Sequence, residues 1–191
     1  ELGERLRTTP VLGDGIGLVG SDKGLAAIDL NTGAVRWRHR MGAGVRTVPL
    51  MVDELAVVAN GEGVIAALSM ENGSPIWQQQ IDGLPSWSMA YSGNKVFVGS
   101  SDRGIYALEL YSGEINWRFE SEGVFAAGPT ATEKTVYCAG SDRYLYAINR
   151  DTGRVFWKYR LDAQVRTPVL VGANIVVVAS DKKTFYAFAK Q

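Results

Sequence analysis

Residues 146–157 read YAINRDTGRVFW, and segments 26–37, 66–77 and 106–117 align with them without a gap. Each segment ends in a tryptophan, and successive tryptophans are forty residues apart: Trp37, Trp77, Trp117 and Trp157. A further copy begins at residues 186–188, and only three residues follow it. A fixed period of this length is the signature of an architecture in which one small structural unit is repeated and stacked.

The residues within each copy predict four β-strands. In the fourth copy, residues 136–140, 144–149 and 155–159 are rich in Val, Ile, Tyr, Phe and Trp, and polar turns separate them. Gly153 supplies the positive φ that a tight hairpin needs, and no segment keeps the spacing of an amphipathic helix. A single four-stranded sheet cannot cover both of its faces, but radial packing of such sheets around an axis does so.

We therefore predict an all-β fold, a β-propeller of about five four-stranded antiparallel blades of 40 residues, with the last blade incomplete. The chain is interpreted as one propeller domain, or part of one, over residues 1–191. The expected blades are residues 7–40, 46–80, 86–120, 126–160 and 166–190.

Composition excludes several classes of function. Lys and Arg total 20, as do Asp and Glu, so the chain has no net charge and we expect no nucleic-acid binding. Apolar runs such as residues 175–179 are too short to cross a bilayer, so no membrane insertion is expected. Residues 1–10 contain no apolar signal segment, which leaves the compartment open. The single cysteine, Cys138, stands in an apolar stretch and is interpreted as a buried, inert thiol.

The string Tyr-Ala-hydrophobic-x-x-x-(Thr/Ser)-Gly-x-x-x-Trp, present at 106–117 and 146–157, resembles the pyrroloquinoline-quinone-like (PQQ-like) propeller repeat. That family includes quinoprotein alcohol dehydrogenases, the outer-membrane assembly lipoprotein BamB and sensor domains of some bacterial Ser/Thr kinases. The resemblance covers essentially the whole chain and slightly favours an extracytoplasmic location. It implies that the four repeat tryptophans dock on the neighbouring blade, where each indole would bury about 200 Å².

The dehydrogenases of this family imply a bound quinone, calcium, a catalytic Asp and often a disulfide between adjacent cysteines, for which this chain has too few cysteines. Four aspartates recur at the turn between the second and third strands: Asp22, Asp102, Asp142 and Asp181. Because separate blades hold them apart, we interpret them as turn residues and not as ligands of one ion. His39, the only histidine, lies on an outer strand. We expect no catalytic residue, metal or cofactor.

A binding surface is expected where the first strand of each blade begins, since this strand is innermost in the family and its start should rim the central opening. Arginine and tryptophan dominate binding hot spots, and arginine forks match carboxylate and phosphate. The predicted partner is therefore a protein or a small anionic ligand. The alternative is that the arginines pair with nearby aspartates and that the tryptophan plugs the channel. The candidate residues are Arg7, Arg46, Trp87, Phe125 and Arg166.

These patterns favour a non-catalytic binding or scaffold module, BamB-like or the sensor domain of a larger receptor. A fragment of a PQQ-dependent alcohol dehydrogenase is the alternative. The fifth copy supplies only three strands, and an unpaired sheet edge recruits other strands. Three arrangements follow: a ring closed by residues 1–6, an arc of a larger propeller, or two arcs joined at their open edges as a homodimer. The arc and the homodimer are the expected ones.

Overall fold

The computed structural model describes residues 3–190, and its regular structure consists of nineteen β-strands. Within that range we find no helix with the length and apolar character of a membrane span. The strands of the first two sheets are β1 (Val11–Gly13), β2 (Ile16–Gly20), β3 (Gly24–Asp29), β4 (Val35–Arg40), β5 (Leu50–Val52), β6 (Leu55–Ala59), β7 (Val64–Ser69) and β8 (Pro75–Gln80). The remaining strands are β9 (Pro85–Ser92), β10 (Lys95–Ser100), β11 (Gly104–Glu109), β12 (Ile115–Glu120), β13 (Thr130–Ala131), β14 (Thr135–Ala139), β15 (Tyr144–Asn149), β16 (Val155–Arg160), β17 (Leu170–Val171), β18 (Ile175–Ala179) and β19 (Phe185–Ala189).

Within each blade, consecutive strands pair antiparallel. The result is four four-stranded sheets and a fifth, three-stranded sheet of β17, β18 and β19. The predicted all-β fold of four-stranded antiparallel blades is confirmed. The third and fourth strands of each complete sheet share one irregularity: the pairing shifts just after the alanine that stands opposite the tryptophan, as at Ala107 and Trp117. Such a bulge increases the local twist, which turns the outer strand at the same height in every blade.

The repeat tryptophans join neighbouring blades. The Trp37 indole N–H donates to the Met70 carbonyl at 2.8 Å, and a methyl group built on Gly73 would lie 2.5 Å from the Trp37 ring. Gly73 has a φ of 72°, so this position favours glycine both for its backbone conformation and for its contact with the ring. The same arrangement recurs where Trp77 lies under Gly113 and where Trp117 lies under Gly153.

The hydrophobic core consists of four clusters, one at each junction between consecutive sheets. Strands β6, β10 and β14 are buried along their whole length because both of their faces meet a neighbouring sheet. Cys138 belongs to the cluster between the third and fourth sheets, and burial raises the pKa of its thiol well above the usual value. The predicted burial of this thiol is confirmed, whereas its lack of reactivity stays a prediction.

The fifth sheet presents an apolar face to solvent. Phe185 is 76% exposed, whereas the residues at its position in the other copies are buried under the following sheet. Those residues are Leu25, Ile65, Ile105 and Leu145. Trp157 is half-buried, with its ring 5.6 Å from that of Phe188 and 6.2 Å from that of Tyr137. The last junction is therefore packed less completely than the three before it.

Candidate functional site

The innermost strands of consecutive blades are hydrogen-bonded directly to one another. The backbone N–H of Val48 donates to the Trp87 carbonyl at 3.0 Å, and the Trp87 N–H donates to the Ala126 carbonyl at 3.4 Å. The Trp87 main chain thus links the second, third and fourth blades. These hydrogen bonds hold the Trp87 backbone in place. A residue held in this way loses less conformational entropy when it binds a partner.

A cleft of about 300 Å³ opens beside Trp87, and we call it the arginine cleft. The Trp87 side chain is 59% exposed, and Leu6 adds a second exposed apolar group to the wall. Large apolar side chains held open to solvent beside charged groups are typical of a binding surface. The cleft is lined by Arg5, Leu6, Arg7, Ala43, Val45, Arg46, Gly61 and Trp87.

Arg46 is held in place by two contacts. Its Nε donates to the Pro85 carbonyl at 2.8 Å, and its guanidinium carbon lies 4.9 Å from the centroid of the Trp87 ring. The ring face attracts the cation, and the carbonyl orients the guanidinium plane. The group is therefore positioned before any ligand arrives.

Arg5 and Arg7 reach the same cleft from the first blade. Residues 5–7 run antiparallel to the end of β2, since the Arg7 N–H donates to the Gly20 carbonyl at 2.9 Å and Leu6 pairs with Ser21. Arg5 and Arg7 both line the cleft, as does Leu6 between them. The prediction included Arg7 and omitted Arg5.

The three arginines of the cleft have no carboxylate partner within residues 3–190. No guanidinium nitrogen of Arg5, Arg7 or Arg46 lies within 4.0 Å of a side-chain carboxylate oxygen of residues 3–190. The alternative interpretation would pair Arg7 with Asp22, but the Asp22 carboxylate accepts the Arg5 backbone N–H at 3.1 Å. Three clustered guanidinium groups that form no ion pair within the described residues favour the approach of an anion.

Arg166 does not line this cleft. Its Nε donates to Asp181 Oδ2 at 2.8 Å, and both side chains are largely exposed. This is the ion pair that the structural alternative expected for Arg166. Arg166 is therefore not part of the candidate binding site.

Phe125 also requires a correction, because its side chain is fully buried. It packs with Phe119 and Tyr146 between the third and fourth blades, at ring distances of 6.4 and 6.1 Å. Phe125 lies forty residues after Pro85 and forty before Val165, which are both buried, so its alignment with the rim was wrong by one residue. A shift of one residue moves a strand side chain to the opposite face. The exposed residue at the rim position in this copy is Ala126.

Two of the four recurring aspartates, Asp102 and Asp142, bind their own turns, whereas Asp22 accepts from the Arg5 main chain and Asp181 pairs with Arg166. Asp102 Oδ1 accepts the Gly104 N–H at 2.8 Å, and Asp142 Oδ1 accepts the Tyr144 N–H at 3.1 Å. Burial opposes ionisation of Asp102, but hydrogen bonds from Tyr106, Gly104 and Arg118 outweigh it and hold the pKa of the carboxyl below its usual value. In the part of the chain that the structure describes, no three His, Cys, Asp or Glu side chains gather closely enough to hold a metal ion.

The four-stranded meander sheets, the tryptophan docking and the inner strands that converge on one rim together define a β-propeller of the PQQ-like class. The family model described as outer membrane protein assembly factor BamB matches residues 1–118, 61–151 and 101–191. The chain belongs to that family. No curated protein matches it significantly.

Several solved structures share the fold. BamB from Moraxella catarrhalis aligns with a TM-score of 0.83 and 22% identity over 95% of this chain and 57% of that one. Quinohemoprotein alcohol dehydrogenase from Comamonas testosteroni gives 0.79 and 18% over 97% of this chain and 42% of that one. The computationally designed Ika8 protein gives 0.61 and 16% over 96% and 70%. This chain thus spans 57% of the BamB structure, and likeness at these identities establishes the fold alone.

Proposed function

We propose that the protein is a non-catalytic propeller module that binds an acidic partner in the arginine cleft. The observation that carries this proposal is the set of three arginines, Arg5, Arg7 and Arg46, which surround one cleft without a carboxylate partner within the described residues. Charges left unpaired at an open cleft attract a ligand of opposite sign, whereas paired charges such as Arg166 and Asp181 neutralise each other.

The cleft suits a ligand that combines an anionic group with an apolar group. The Arg46 fork, oriented by the Pro85 carbonyl and the Trp87 ring, matches a carboxylate in a bidentate geometry. Trp87 and Leu6 offer exposed apolar surface beside it. A volume of about 300 Å³ is small, which suits one or two side chains of a peptide or a small organic acid.

The family supports a scaffold role. BamB is described as an outer membrane protein assembly factor, so we propose that this chain also works in the cell envelope and holds a protein partner in an assembly. The alternative function, a piece of a PQQ-dependent alcohol dehydrogenase, is favoured only by the likeness of fold to 42% of such an enzyme. The binding role is the better supported of the two, because the arginine cleft supports it in addition to the likeness of fold.

The test measures binding of a fluorescein-labelled peptide of alternating Glu and Leu by fluorescence anisotropy. Arg46→Gln should weaken binding about tenfold to a hundredfold, because one charge-assisted hydrogen-bonded contact is lost. Binding should also weaken as salt is added. Arg36→Gln is the matched control, since Arg36 is an exposed arginine that pairs with Asp29 outside the cleft.

Two results would contradict the proposal. One is an Arg46→Gln variant that binds the peptide as tightly as the wild type while Arg36→Gln also leaves binding unchanged. The other is oxidation of an alcohol, followed with an electron-accepting dye, when the protein is supplied with pyrroloquinoline quinone and calcium. The second result would establish the dehydrogenase function instead.

A further inference from the structure

A second and larger cavity, of about 690 Å³, lies between the outer strands of the third and fourth blades. We call it the aromatic groove, because Phe119, Tyr144 and Tyr146 form its walls. It shares no lining residue with the arginine cleft. Any function of the groove is therefore independent of the proposed anion site.

Ser121, which lines the groove, departs from the repeat. Its position holds a large apolar residue in the other copies, and each of these residues is buried: Met41, Ile81 and Leu161. Ser121 is smaller, and its hydroxyl turns to the main chain, where it donates to the Gly123 carbonyl at 2.7 Å. Ser121 therefore supplies less side-chain volume than Met41, Ile81 or Leu161, and the buried Phe125 ring takes up part of the junction beside it.

Tyr144 is the second departure. The corresponding residues of the three preceding copies are Gly24, Val64 and Gly104. Its ring centroid lies 6.0 Å from that of Tyr146, and the Tyr146 ring lies 5.1 Å from that of Phe119. These spacings are those of rings in favourable tilted contact, and all three rings are among the residues that line the groove, although Tyr146 itself is buried.

Some of the polar groups that line the groove already have partners. The Tyr146 hydroxyl donates to Asp142 Oδ2 at 2.6 Å. The Lys158 ammonium lies 4.9 Å from the centroid of the Tyr144 ring and covers part of its face. The charged groups at the rim number two of each sign: Arg103, Lys158, Glu120 and Glu122. A rim without net charge does not select an ion, so ring faces bordered by hydrogen-bonding groups are what the groove offers.

We propose that the aromatic groove is a docking site for an aromatic side chain of a partner polypeptide. The side chain enters beside Phe119 and Tyr144, and Lys158 moves off the Tyr144 ring to admit it. The charged groups at the rim then form hydrogen bonds with the N–H and C=O groups of the partner backbone, as polar groups do around an apolar anchor. A volume of about 690 Å³ holds a large aromatic side chain together with part of its backbone.

The experiment uses N-acetyl-5-fluorotryptophanamide as the probe and follows its fluorine resonance by NMR as protein is added. Line broadening is expected with the wild type. Ser121→Leu restores the repeat residue and fills the groove, so affinity should fall at least about tenfold while the melting temperature holds or rises. Ile81→Leu, at the same repeat position of the preceding junction, is the matched control and should bind as the wild type does.

Two further variants separate the groove from other sites. Tyr144→Val introduces the residue of the second repeat and should weaken binding of the probe. Trp87→Ala, in the arginine cleft, should leave binding of the probe unchanged. The proposal is overturned if the wild type does not broaden the resonance at millimolar probe concentration. It is equally overturned if the folded Ser121→Leu and Tyr144→Val variants both retain wild-type affinity.

Discussion

Replacing Trp77 with alanine should be among the most destabilising single changes in this chain. The indole is only 8% exposed, its N–H donates to the Leu110 carbonyl at 2.8 Å, and the turn at Gly113 covers its face. Burial of about 200 Å² at about 25 cal/mol per Å² corresponds to about 5 kcal/mol as an upper estimate. Loss of the hydrogen bond adds about 1 kcal/mol. Since large aromatic residues cost 3 to 5 kcal/mol in comparable cores, we expect a loss of about 4 kcal/mol.

The assay is urea denaturation followed by far-ultraviolet circular dichroism, which does not depend on the tryptophan that is removed. Trp157→Ala is the matched control, because Trp157 occupies the same repeat position but is half-buried. It should cost about half as much free energy of unfolding. A loss below about 1 kcal/mol for Trp77→Ala, or a larger loss for Trp157→Ala, would refute the inference that the buried indole holds consecutive blades together.

Two more results are expected. The Arg36 guanidinium beside Asp29 holds the pKa of that carboxyl at about 2 instead of 3.8, so the ionised carboxylate stabilises the fold above pH 3.8 and this contribution disappears as the pH falls toward 2. Arg36→Gln should therefore raise the pKa of Asp29 in an NMR titration, and an unchanged value would contradict the assignment. The exposed face around Phe185 should cause self-association of the 191-residue chain, so its mass in light scattering should rise with concentration. Phe185→Lys should abolish the rise and Phe156→Lys, on an outer strand, should not; a constant monomer mass for the wild type would exclude this association.

The strand pattern was readable from the sequence because it depends on local chemistry repeated in register. Each hairpin glycine and each tryptophan recurs at the same position, so one copy explains the others. The prediction for Phe125 failed where register mattered most, since a strand side chain changes face with every residue. The forty-residue period places Phe125 with Pro85 and Val165, so a strict use of the period would have put Ala126, and not Phe125, at the rim.

The aromatic groove could not be predicted from the sequence, for a different physical reason. A cavity exists when neighbouring side chains leave volume unfilled, and that depends on residues that are distant in the chain. Ser121 could be recognised in advance as the polar member of an otherwise apolar set. Whether Phe125 or Tyr144 would fill the space beside it could be decided only from their positions in the structure.

Because each tryptophan docks under a glycine turn that follows it in the chain, these contacts can form only in a fixed order during synthesis. Trp37 meets Gly73, which is synthesised thirty-six residues later, and the other pairs repeat this interval. At translation rates of about 5 to 20 residues per second, about 2 to 7 s pass between the synthesis of a tryptophan and the synthesis of the glycine turn that covers its indole. During that interval an emerging chain exposes one tryptophan at a time, and the exposed residue moves along the chain as synthesis proceeds. Ribosome-stalled chains that end before Gly73 should therefore remain sensitive to protease near Trp37, and chains that extend well past it should not.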